Sequence, residues 1–264
     1  MNNSIFKERS NTQKLLIYFL IVFFSLTIVS FIGSFVISFF FQNPTLNISP
    51  TLNNNSIRAL KWSVFFNHLG MFLIPSWLFL FVLHNSPFQF WGKPKTNLRI
   101  SLIIPLFLGI SILGELALLV NQQIDFRFFS EEFALYAEQA DATSKLLINL
   151  FIGTTWKSFL FNVFLIALVP AIGEELMFRG ILQPLLIRTT RQKHFAIFSI
   201  AFLFAFIHFQ FSDFIPRFVL GIVYGYIFYF TNNIKYTIIL HFLNNFSALI
   251  LYLLPRIIDY TNFI

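Results

Sequence analysis

The stretch Val169–Arg188, VPAIGEELMFRGILQPLLIR, decides how the chain folds. Two adjacent carboxylates, Glu174 and Glu175, and a guanidinium, Arg179, stand in a run otherwise apolar enough to lie in lipid. A charged side chain at bilayer depth costs at least about 2.5 kcal/mol, so such groups face a bundle interior and commonly mark function. On a helix Glu175 and Arg179 share a face in the favourable order, acid before base, whereas Glu174 points about 100° away. One carboxylate is neutralised locally and the other is left free. Taken alone, the three charges fit equally well a buried ion-pair knot that only holds helices together.

Working outward, the composition makes this a membrane chain. Of 264 residues 57% are hydrophobic and only 11% charged, with a mean hydropathy of +0.74, which excludes the ordinary soluble class. The expected fold is all-α, a polytopic transmembrane helix bundle of about seven to eight spans, with residues 1–264 as a single integral membrane domain. The 40 phenylalanines suit lipid-facing surfaces and read as composition bias. The absence of cysteine removes thiol catalysis, disulfides and thiolate metal sites together. A net charge of +7 would suit a nucleic acid, but the basic residues sit in short loops between apolar runs. Membrane topology explains them, and no nucleic-acid partner is expected.

The apolar runs are 15–41, 60–83, 98–120, 158–187, 195–209, 214–230 and 236–254. The first is too long for a signal peptide and reads as a retained span. The second contains His68, read as a packed residue, and the third Glu115, a secondary site candidate. Residues 121–145 are acidic, and EEFALYAEQADATSKLL has the pattern of an interfacial or external amphipathic helix. The run 158–187 would be ~45 Å long at 1.5 Å per residue, so it must tilt, kink or protrude, and Pro170 and Gly173 interrupt it just before the acidic pair. Lys7, Arg9, Lys14, Lys93, Lys95, Arg99, Arg188, Arg191, Lys193 and Lys235 fall on one side and the acidic segment on the other. The positive-inside rule then places the N-terminus in the cytoplasm.

Depth brings polar residues from different spans together. Counting from Arg188, His194 and Lys235, Glu174 and His208 lie ~21 Å and Asn245 ~15 Å from the cytoplasmic boundary. Asn245 shares a helical face with His241. Such a set supports hydrolysis: a carboxylate beside an imidazole polarises water, and a second His with an Asn donates hydrogen bonds to an oxyanion. The same Glu174, His208 and His241 suit zinc or another divalent metal with water completing the site. There is no HExxH, GxSxG or GxGD sequence.

These residues resemble the CAAX prenyl protease and bacteriocin-processing (CPBP, or Abi) family of intramembrane proteases. The resemblance rests on Glu174-Glu175-x-x-x-Arg179, Phe204-x-x-x-His208 and His241-x-x-x-Asn245, in the family's order and approximate spacing, with Gly221-x-x-x-Gly225 and TNNIKYTIILHFLNN around them. It covers roughly residues 158–250. It implies a membrane-embedded endopeptidase in which Glu174 and His208 activate water, His241 and Asn245 stabilise the oxyanion, and Glu175 and Arg179 orient the site. It leaves open a metal-dependent and a metal-free glutamate mechanism; the residues favour the latter, with no cofactor. The expected partners are the lipid bilayer and a peptide or protein substrate, lipidated CAAX tails among the family's substrates, and the expected place is a bacterial inner membrane. The rival reading is a non-enzymatic membrane protein, a transporter or a bacteriocin-immunity or peptide-binding partner, since buried Glu and His chains also build ion pathways. A transporter would show internal repeats, and the two halves show no convincing self-similarity.

Overall fold

The computed structural model describes residues 8–42, 44, 46–83, 95, 99–151 and 156–261. The expected basic residues Lys7 and Lys93 lie outside them. Among the described residues the chain is all helix: α1 (Asn11–Phe41), α2 (Asn54–Phe81), α3 (Ile103–Asn121), α4 (Glu131–Phe151), α5 (Trp156–Thr190), α6 (Lys193–Phe206), α7 (Phe214–Thr231) and α8 (Ile234–Thr261). Six of these are long and apolar enough to cross a membrane, α4 and the shorter α6 being the others. The amphipathic α4 connects α3 to α5. At 14 residues, α6 spans ~21 Å, short of the ~30 Å hydrocarbon core, so the residues just past its end stay at membrane depth.

The starts and stops of the helices follow their local sequence. Ser10 caps α1 in a reciprocal box with Gln13, and Asn53 caps α2 by accepting from the Ser56 N–H. That cap lets α2 begin six residues before the apolar run at 60. Left-handed residues Gln42, Arg191 and Asn232 end α1, α5 and α7.

Proline leaves a repeated mark. A π-helical turn stands directly before each of Pro75, Pro170 and Pro184, at Leu69–Leu73, Val163–Leu168 and Leu176–Leu182. A proline ring clashes with the carbonyl four residues back and offers it no N–H, and a widened turn relieves both problems without breaking the helix. The expected interruption at Pro170 is therefore a change of winding, and α5 runs on through it.

Helix α5 is the axis of the bundle. On one side Met177, Phe178, Ile181, Leu182 and Leu185 pack with Tyr18 and Val22 of α1, Phe72 and Phe79 of α2, and Ile200 and Phe204 of α6. A second cluster joins Ile110 of α3, Leu220 and Tyr224 of α7 and Leu240 of α8. Phenylalanine divides as expected: Phe31, Phe35 and Phe39 of α1 are exposed, while Phe79 and Phe178 are fully buried.

The two ends of the bundle differ in charge. At one end the Lys95 N–H donates to the Thr231 carbonyl, and the ammonium groups of Lys95 and Lys193 lie 5.2 and 5.3 Å from the Tyr229 ring. Lys14 at the start of α1 and Arg188 at the end of α5 stand close enough for their like charges to repel each other, adding to the positive charge of this end. The other end carries α4 with Glu131, Glu132, Glu138 and Asp141. There Lys61 of α2 is buried, donating to the Phe151 carbonyl at 2.7 Å, to Asn162 Oδ1 at 2.8 Å and to Ser158 Oγ at 3.3 Å. This ammonium holds the carbonyl end of α4 against α2 and α5, where a cation opposes the helix dipole.

Candidate active site

Glu174 and Glu175 sit at the end of the α-helical turn Val169–Glu175, just before a π segment, and both are buried. Gly173 permits this by letting α2 come close: a Cβ there would stand 2.9 Å from Phe72 Cβ. The neighbouring carboxylates have opposite surroundings. Glu175 Oε1 accepts from Arg179 Nη1 at 2.8 Å and from His241 Nδ1 at 2.9 Å. Glu174 instead faces three imidazoles: Nε2 of His68 at 3.4 Å from Oε1, and Nε2 of His208 and of His241 each at 3.9 Å from Oε2.

Hydrogen bonds elsewhere fix the tautomers of two of these rings. His208 Nδ1 lies 2.7 Å from the Phe204 carbonyl, which can only accept, and His241 Nδ1 donates to a carboxylate. In each neutral ring Nε2 is therefore an acceptor facing Glu174. A separation of 3.9 Å is too long for a direct hydrogen bond and leaves room for a third group between them. The side chains of His68 and His208 retain 22% and 25% of their exposure against 5% for Glu174, so the approach to the carboxylate runs between these two rings.

Arg179 is fully buried. Its Nη2 donates to the Gly221 carbonyl at 3.1 Å, and its guanidinium lies 4.7 Å from the Phe204 ring and 5.5 Å from that of Tyr224. Phe204 also meets His208 and His241 edge-on, and Tyr224 stacks on His241. One turn beyond Arg179, Gln183 Nε2 donates to the Gly225 carbonyl at 2.9 Å. The absence of side chains at Gly221 and Gly225 brings α7 against Ala201 and Ile197 of α6 and opens both carbonyls to α5.

Of the sequence candidates, the structure brings Glu174, Glu175, Arg179, His208 and His241 into one cluster. Asn245 is half-buried on α8, and its Nδ2 reaches the Ile166 carbonyl at 3.4 Å. Ile166 lies in the widened turn before Pro170. Glu115 is exposed on α3 and takes no part. His68, read from sequence as a packed residue, joins the cluster. Counting back from Leu83 puts it ~22 Å deep, the same depth as Glu174, and that count would have found it.

A zinc site would set ligand atoms about 3.4 Å apart around a tetrahedral ion. His68 stands at that spacing from Glu174 and the two 3.9 Å separations are wider; among the described residues no group of three or more His, Asp and Glu side chains is arranged to hold a metal ion.

Residues 156–247 match the model of the family described as Rce1-like, type II CAAX prenyl endopeptidase. Searches of the curated proteins and of the solved structures find no match.

Proposed function

From the premise that α5 to α8 carry the Rce1-like endopeptidase family's region, we propose that the protein hydrolyses a peptide bond of a membrane-associated peptide or protein, with Glu174 as the general base. The observation that carries this reading is the contrast between the glutamates: Glu175 is neutralised by Arg179 and His241, while Glu174 faces two imidazole acceptors across 3.9 Å. A water in that space gives one proton to Glu174 and hydrogen-bonds through the other to His208 Nε2, which aims its oxygen at the scissile carbonyl carbon. Glu174 then passes its proton to the departing amine, so the site returns to its starting state.

The developing oxyanion needs donors. His241, its Nδ1–H held by Glu175, turns Nε2 to the same space; that nitrogen accepts in the neutral ring and donates to the oxyanion only when the ring carries a second proton. Asn245 has two amide hydrogens and spends one on Ile166, which leaves the other for the oxyanion. Glu175 and Arg179 orient His241 and do not meet the substrate. No step is routed through a metal.

The test is cleavage of a labelled peptide library by the purified protein in lipid, beside Glu174→Gln and with and without a chelator. Cleavage that Glu174→Gln abolishes and chelation leaves intact is the expected result. Loss on chelation, with stoichiometric zinc on elemental analysis, would replace the glutamate mechanism.

A further inference from the structure

The short crossing that carries His208 out of α6 and into α7 is tied down from α3 and α4 and by a residue of α7 itself. His208 lies two residues past the end of α6, where the backbone is held by tightened bonds from the His208 and Phe209 N–H groups to the carbonyls of Ala205 and Phe206. Phe209 has φ of 50°, a left-handed conformation that a bulky residue keeps only when its neighbours over-determine the turn.

Those neighbours are identifiable. Asn121, the buried last residue of α3, donates Nδ2 to the Phe211 carbonyl at 2.9 Å and accepts on Oδ1 from the Ile215 N–H at 2.8 Å. The second bond serves one of the otherwise unpartnered N–H groups in the first turn of α7. Asp141, midway along α4, accepts from the Ser212 N–H at 3.1 Å, and the Phe133 and Tyr136 rings of α4 lie 5.0 and 6.2 Å from that of Phe211. Arg217 of α7 donates to the Gln210 carbonyl at 3.4 Å and to Gln210 Oε1, and pairs with Asp213 at 3.5 Å.

We infer that Asn121 and Asp141 are positioning residues for His208: by fixing the 209–213 turn they set where its Nε2 stands relative to Glu174. Both lie outside the stretch 156–247, and α4, an amphipathic helix outside the Glu174 cluster, thereby becomes a support of the site. The bond from Nδ1 to Phe204 selects the tautomer of His208, but the backbone that carries the ring is held in place by these two side chains.

The experiment uses the full chain in proteoliposomes with Asp141→Ala, Asp141→Asn and Asn121→Leu. Its first readout is the rate at which diethyl pyrocarbonate modifies His208, taken by mass spectrometry as a ratio to His194. His194 is an internal standard because it bonds to Tyr226 and lies at the opposite end of α6. Asp141→Ala and Asn121→Leu should raise the ratio at least about threefold and lower kcat for a cleaved peptide at least about tenfold, with KM changed by less than about threefold, since an ångström of misplacement costs far more in turnover than in binding. Asp141→Asn keeps an oxygen for the Ser212 N–H and should stay near the parent in both readouts. The kcat readout rests on the hydrolytic reading; the labelling ratio does not. A parent that cleaves nothing would defeat that reading while the ratio still decided this one. An unchanged ratio in Asp141→Ala overturns the inference, as does an Asp141→Asn as damaged as the alanine variant; should Asn121→Leu not fold, this pair alone decides.

Discussion

Removing the charge of Glu175 leaves the buried Arg179 guanidinium without its counter-charge in a place where water cannot replace it. Glu175→Gln should therefore lower stability in detergent by about 3 kcal/mol, the cost of stranding a buried partner. Glu174→Gln should leave unfolding nearly unchanged and abolish hydrolysis, because its nearest imidazoles make long contacts and lose little. Equal destabilisation of both variants with cleavage retained would sink the assignment of roles. The contacts of this pair were legible in the sequence, since spacing alone sets Glu175 against Arg179 and turns Glu174 away. His68 was legible by its depth alone and not by its local pattern. A lone histidine in an apolar helix carries no local signal, and its meaning comes from Gly173, whose missing side chain lets α2 approach α5. Asn245 was visible as a polar residue on the face of His241, but its bond to Ile166 joins two helices and spacing along one helix does not show it.

At the level of helices, the two glycines of α7 differ in what they would meet. A Cβ at Gly221 would stand 2.9 and 3.0 Å from Ala201 Cβ and Cα, and a backbone cannot step aside. One at Gly225 would meet Ile197 Cγ2 at 2.8 Å, on a branched side chain nearly fixed in a helix, and Gln183 Oε1 at 3.0 Å, the far end of a side chain. Gly221→Ala should accordingly cost about 2 to 3 kcal/mol and Gly225→Ala about 1 to 2 kcal/mol, read from thermal unfolding of the two variants in the same detergent. A larger loss for Gly225→Ala would show that the acceptor for Gln183 matters more than the approach of α6. The positions of the helices were legible because apolar run length is a strong signal. The π turns were not: they answer prolines by rewinding, and the apolar pattern reads nearly the same through either winding.

For the whole molecule, the separation of charge between its two ends makes the orientation testable. A reporter inserted within 188–193 should report the cytoplasm and one within 121–142 the opposite side; reversed readings would invert the proposed orientation. The pairing of Glu175 with Arg179 also bears on how the chain is made. Synthesis runs from the N-terminus, so α5 is presented to the membrane before His208, Gly221 and His241 exist. At that moment a lone charge at mid-bilayer would resist insertion by about 2.5 to 3.5 kcal/mol. Arg179 and Glu175 lie on one turn of one helix, 2.8 Å apart, and so enter the membrane as a neutral unit that needs no later helix to complete it. That pairing thus leaves Glu174 as the one acid of this cluster that the nascent segment must carry unpaired into lipid, and a chain that carried the guanidinium on α7 instead would have to bring two uncompensated acids through the translocation machinery.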